Sequence, residues 1–162
     1  IIDCDLRRPR VHTVFSMQND KGLSNYLSGT MQENIIHKVA GEELFVITAG
    51  PIPPNPSDLV GSKRLRSLIE KMREHFDFIL VDSPPVQLVT DSLALSHLVD
   101  GTVIVVKAGV TTYDMVQSGL KKLRDVQCRI LGVVLNGVGK HHGGGYYYSG
   151  YSSYYAKDDT PS

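Results

Sequence analysis

The sequence has 162 residues, 17 basic and 17 acidic side chains, and a formal net charge of zero. That length supports one domain with its own core, and the charge balance gives no basic excess for nucleic acid as a partner. Cys4 and Cys128 make no metal-ligand spacing and no disulfide framework, which favours a reducing cytosol. No apolar run approaches the roughly 20 residues that span a bilayer, and no signal peptide is visible.

The chain opens on Ile1-Ile2-Asp3-Cys4-Asp5, already inside a strand and without an initiator Met. It is read as a piece whose upstream part lies outside it. Period-two geometry puts Asp3 and Asp5 on one strand face and Cys4 on the other. Two carboxylates side by side at a strand end repel unless a cation or a shared proton relieves them. Arg7, Arg8 and Arg10 follow at once. The segment suits Mg²⁺ and phosphate; the plainer alternative is a solvated, self-neutralising loop.

Residues 11–43 say less, although Gly22 to Gly29 reads as a short helix closed by Gly29. Leu44 to Ala49 is a buried-type strand that runs into a loop with four prolines, Gly50 to Ser57. A helix is expected from Ser57 or Asp58, both good N-caps. Leu65, Leu68, Ile69, Met72 and Phe76 form its apolar stripe. Lys63, Arg64, Arg66, Lys71 and Arg73 face solvent or a subunit interface.

Phe78-Ile-Leu-Val81 is a continuous apolar run, suited to a strand buried on both faces. It delivers Asp82, and Pro84 and Pro85 then stop it, because neither donates to a ladder. Residues 91–99 read as a helix with Asp91 as its cap, and Gly101 to Val106 as the next strand. Thr112 to Val126 is helical, with Val116, Leu120 and Leu123 inward, and Ile130 to Leu135 is the last strand, ending at Asn136. Alternating strands and helices predict an α/β fold, a doubly wound, mostly parallel sheet. In such a sheet the strand ends share one edge, so Asp3, Asp5, Asp82 and Asn136 converge there.

From Gly139 the composition changes. Six of the eight tyrosines lie between Tyr146 and Tyr155, among Gly and Ser. With no aliphatic residue to bury, residues 139–162 are expected to form a disordered tail beside a domain over residues 1–138. His141 and His142 are read as part of the linker. The tyrosines are either a sticky low-complexity tract or a row of accessible phosphoacceptors.

Together these residues resemble the bacterial tyrosine kinases, a P-loop family unrelated in fold to eukaryotic protein kinases. Ile1 to Arg7 is similar to that family's Walker A′ pattern, an apolar run followed by Asp-x-Asp-x-Arg. Ile79 to Pro85 resembles its Walker B, an apolar run followed by Asp-x-Pro-Pro. The proline loop at Gly50 to Pro56 and the tyrosine cluster are also similar to family features. Partition ATPases of the ParA/MinD type share the two Walker-like runs, so the combination carries the resemblance.

The resemblance implies a P-loop NTPase-like fold and an ATP- and Mg²⁺-dependent protein-tyrosine autokinase that governs capsular or extracellular polysaccharide polymerisation and export. It implies catalytic roles for Asp3, Asp5 and Asp82, with Mg²⁺ on Asp82 and Asp5, directly or through water. Arg7 and Asn136 would meet nucleotide, Arg7 alternatively an interface. Tyr146, Tyr147, Tyr148, Tyr151, Tyr154 and Tyr155 would be phosphoacceptors. It also implies a ring-like homo-oligomer, a membrane activator segment or protein of the polysaccharide co-polymerase type, a cognate tyrosine phosphatase, no nucleic acid, and a place at the cytoplasmic face of the cell membrane. The Walker A loop, Gly-x-x-x-x-Gly-Lys-Ser/Thr, is absent from the sequence. In the family it precedes Walker A′, so these 162 residues alone are expected to be inactive and to lack the P-loop strand. A partition-type ATPase or a non-catalytic interaction module are the alternative functions.

Overall fold

The computed structural model describes residues 1–138. β1 (Ile2–Asp3) runs parallel to β4 (Val81–Asp82), with Ile2 opposite Val81 and Asp3 opposite Asp82. On its other side β1 meets Ile47 in a parallel bridge. Ile47 follows β3 (Phe45–Val46), which is antiparallel to β2 (His37–Lys38). β5 (Thr102–Lys107) and β6 (Ile130–Asn136) form a separate parallel pair. Between the strands come α1 (Val11–Val14), α2 (Leu23–Ser28), α3 (Pro56–Val60), α4 (Lys63–Arg73), α5 (Asp91–Ser96) and α6 (Tyr113–Asp125). Parallel strands need crossovers, and helices supply them. The α/β architecture with parallel pairing is therefore as the sequence predicts; the tail over 139–162 lies outside the described residues.

The core forms where these layers meet. Ile2, Cys4 and Leu6 of the first strand region pack with Ile47 and Ala49 and with the inner face of α4. Leu65, Leu68 and Ile69 of the predicted stripe are buried. Met72 and Phe76 are half-buried, and Phe76, beyond the end of α4, meets Phe45 edge-on at 5.3 Å. α2 starts against the segment that follows β3: the N–H groups of Leu23 and Ser24 donate to the carbonyls of Thr48 and Ala49, both at 2.8 Å. These contacts satisfy donors that a helix start leaves unpaired. They bring Gly22 so close that a Cβ there would lie 2.4 Å from Gly50 N and from Thr48 O. Gly29 closes α2 with φ 83°, as expected of a left-handed cap.

Three local expectations change. The single helix from Ser57 or Asp58 is two helices: α3 ends at Gly61, and Ser62 caps α4 by accepting from Leu65 N at 3.3 Å. Asp91 is not a cap; Thr90 holds that position without a side-chain bond, and the Asp91 carboxylate is taken by other partners. The third change concerns the apolar run before Asp82. Phe78 is 88% exposed and Leu80 is 64% exposed, so this strand is not enclosed on both faces. The physical reason is that, among the described residues, no strand pairs with its second edge. β4 pairs with β1 on one side, and its other side opens on a groove of about 940 Å³. Leu80 and Asp82 stand on one wall of that groove, Val103 and Leu131 on another. Val105 and Val133 of the β5–β6 pair are exposed as well. An unpaired strand edge with apolar flanks is a template for a further strand.

Candidate active site

The parallel register of β1 and β4 sets Asp3 directly beside Asp82 at the carboxyl ends of their strands, where open α/β sheets build sites. Asp3 is fully buried. One of its oxygens accepts from Asp5 N at 3.2 Å and the other from Val11 N at 3.1 Å. Asp5, also buried, accepts from Arg7 N at 3.2 Å and Arg8 N at 2.9 Å on a single oxygen. Aspartates readily take nearby backbone N–H groups in this way. The loop after β1 is thus folded around its own two carboxylates. Asp82, in contrast, is exposed to the groove.

The three aspartates repel one another. Burial pushes the Asp3 carboxyl up to about 6, against the pull of the Val11 N–H and with a further push from the charges of Asp82 and Asp5. Asp82 is raised too, first by the partial burial of its carboxyl beside the open groove and then by the charge of Asp5. Hard carboxylate oxygens gathered at one strand end suit a hard divalent cation. Among the described residues no three His, Cys, Asp or Glu side chains are arranged to hold a metal. Mg²⁺ is commonly held by one or two carboxylates together with water and substrate phosphate, so the donor set fits that ion and not a closed protein cage.

Arg7 is the predicted site residue whose placement differs most from a phosphate contact. Its Nε donates to Asp91 at 2.9 Å and its Nη2 to Ser57 Oγ at 2.8 Å. Asn136 ends β6, opposite Lys107, on the pair that is not hydrogen-bonded to β1 and β4. Its Oδ1 accepts from Gly137 N at 2.7 Å. The structure therefore brings Asp3, Asp5 and Asp82 together and leaves Asn136 on a separate ribbon. Tyr146, Tyr147, Tyr148, Tyr151, Tyr154 and Tyr155 lie outside the described residues. Sequence reasoning missed Ser57 and Asp91 as partners of Arg7, and Arg10 as one of the residues that line the same groove as Asp82. An aspartate at a helix start reads as a cap, and nothing local signals an arginine 84 positions away.

No protein-family model matches the chain. It is 35% identical over 159 residues to the putative tyrosine-protein kinase CapB of Staphylococcus aureus, covering 98% of this chain and 68% of that protein. Among solved structures it resembles the kinase domain of Escherichia coli tyrosine kinase ETK, with a TM-score of 0.84 and 36% identity over 91% of this chain and 58% of that one. It also resembles the chimerical protein CapA2B2, with a TM-score of 0.79 and 35% identity over 83% of this chain and 60% of that one. The chain thus spans about two thirds of CapB and about three fifths of the two solved chains.

Proposed function

This chain belongs to the bacterial tyrosine kinases, and from that premise we propose that it is the larger part of an ATP-dependent kinase domain that phosphorylates tyrosines at its own carboxyl end. The observation that carries the reading is the Asp3–Asp82 register at the head of an open groove. A kinase of the P-loop type needs a carboxylate for Mg²⁺ next to a strand that leads into a phosphate-binding loop. Asp82 supplies the first, and the groove beyond β4 offers a seat for the second.

On this reading Asp82, the exposed carboxylate, and Asp5 hold Mg²⁺, with ATP as the nucleotide. The bound ion neutralises charge that develops on the phosphates. Asp3 is enclosed, so its part is to keep the β1–α1 loop folded and to set the field at Asp82. A phenol with a pKa near ~10 is a poor nucleophile at neutral pH, so a carboxylate close to the transferred group is chemically sensible. Tyr146, Tyr147, Tyr148, Tyr151, Tyr154 and Tyr155 are the proposed acceptors, and Asn136 the proposed adenine contact. Among the described residues no helix is long and apolar enough to cross a membrane. Placement at the inner membrane face rests on the proposed partner, a membrane co-polymerase or activator, and similarity to a chimerical protein supports a kinase that works with a second protein. Assembly as a homo-oligomer, reversal by a phosphatase and control of polysaccharide export belong to the same proposal.

The test is incubation of the full-length protein with ATP and Mg²⁺, followed by mass spectrometry of residues 139–162. Phosphotyrosine in the cluster is the expected result. ATP hydrolysis without phosphotyrosine would give a partition-type ATPase instead, and neither activity would leave an interaction module.

A further inference from the structure

Three chain segments meet beside the β1–β4 pair. They are the β1–α1 loop, which carries Asp5; the start of α3, which follows the proline run; and the start of α5, which follows Asp82 and its two prolines. Asp91 is 2% exposed. One oxygen accepts from Arg7 Nε at 2.9 Å and the other from Ser57 Oγ at 2.7 Å. Arg7 Nη2 donates to the same Ser57 oxygen at 2.8 Å. Guanidinium, hydroxyl and carboxylate close a ring, with one member from each segment.

A carboxylate this buried needs a cation or hydrogen-bond donors to offset its loss of water. The planar fork of an arginine can serve two acceptors in fixed directions, which an ammonium does less well. Arg7 is anchored at its other end too, because its backbone N–H donates to Asp5. Next to Asp91, Ser92 Oγ donates to the carbonyl of Pro84, so the chain that follows Asp82 is tied to the same corner. The ring therefore connects the segment around Asp5 with the segment after Asp82. Arg10, exposed and on the groove wall with Asp82, is better placed than Arg7 to meet an anion.

We propose that Arg7, Ser57 and Asp91 form a positioning clasp, and that Arg7 acts on phosphoryl transfer by fixing the Asp5 loop against the loop after Asp82 and not as a phosphate ligand. The proposal rests on the kinase reading for its effect on rate, while the clasp itself is measurable without activity. Losing a positioning contact misplaces groups that act in the transition state, which lowers kcat; losing a phosphate ligand weakens ATP binding, which raises KM.

The experiment uses the full-length kinase with Arg7→Lys, Arg7→Ala, Ser57→Ala, Asp91→Asn and the double variant Arg7→Ala with Asp91→Asn. Arg7→Lys keeps the charge and guards against simple misfolding. It is expected to lower kcat about tenfold while KM for ATP stays within about twofold. Ser57→Ala, which leaves the direct Arg7–Asp91 bond, is expected to lose less than Arg7→Ala. The double variant is expected to be no worse than the poorer single one, because the partners act as a unit. A rise of about tenfold in KM for ATP with kcat retained would make Arg7 a ligand and overturn the clasp. So would effects of the two single variants that multiply. Urea unfolding of the same set reads the coupling independently. Coupling there with kcat and KM unchanged would reduce the ring to a brace of the fold and also overturn the proposal. Coupling in a wild-type protein that shows no kinase activity would defeat the kinase reading and leave the clasp standing.

Discussion

Asp3 makes a quantitative prediction about stability against pH. Its carboxyl ionises at an ordinary 3.8 when the chain is unfolded and at about 6 when folded. Between those values the folded state holds a proton that the unfolded state has released. Stability from this group is therefore fully present below about pH 4, falls as pH rises through the window, and levels off above about pH 6. The difference of about two pH units, at ~1.36 kcal/mol each, sets the full effect at about 3 kcal/mol. Roughly 2 kcal/mol of it falls between pH 4.5 and 7.5. Other carboxylates titrate in the same range, so wild type must be compared with Asp3→Asn. The amide cannot accept from both the Asp5 and Val11 N–H groups, and one unpaired buried donor costs about 1–3 kcal/mol. That penalty is independent of pH. It shifts the variant's curve vertically and leaves the change in spacing to report Asp3 together with its charge coupling to Asp82 and Asp5. The chain has no Trp, so urea unfolding followed by far-ultraviolet circular dichroism at pH 4.5, 6.0 and 7.5 is the assay. Asp3→Asn should gain on wild type by about 2 kcal/mol over that range. Curves that stay parallel to within about 0.5 kcal/mol would refute the argument, because a normally ionising Asp3 makes no contribution to the slope.

Further outcomes follow from the same geometry. In the full-length kinase Asp82→Asn should nearly abolish autophosphorylation, since a neutral amide binds Mg²⁺ far more weakly than a carboxylate; phosphotyrosine within twofold of wild type, by immunoblot or mass spectrometry, would remove Asp82 from the site. Leu80→Ser should change the unfolding free energy of the 162-residue chain by no more than about 0.5 kcal/mol, as at other exposed positions. In the full-length protein the same change should cost about 2 kcal/mol or more if a strand fills the groove, and equal costs in both would count against that filling. Gly22→Ala puts a methyl group 2.4 Å from two backbone atoms and should cost at least about 1–3 kcal/mol by urea unfolding. An unchanged midpoint would mean that the α2 start relaxes freely.

Much of this protein was legible in the sequence because the relevant signals are local. Strands that end on Asp3 and Asp82 announce themselves by an apolar run that stops at a carboxylate. The stripe through Leu65, Leu68 and Ile69 follows the helical period, and Gly29 closes α2 because only a residue at ease with positive φ fits there. Once the strands are parallel, the meeting of Asp3 and Asp82 follows from topology. What tertiary structure alone decided concerns partners distant in sequence. Asp91 reads as a helix cap, yet folding delivers Arg7 and Ser57 to it. A buried carboxylate takes the strongest donors within reach, and the chain's local order does not list them. The run Phe78 to Val81 reads as an enclosed strand, yet Phe78 and Leu80 stand open on the groove. Hydrophobicity encodes a demand for burial, whereas burial itself depends on which neighbouring strand is present to meet it.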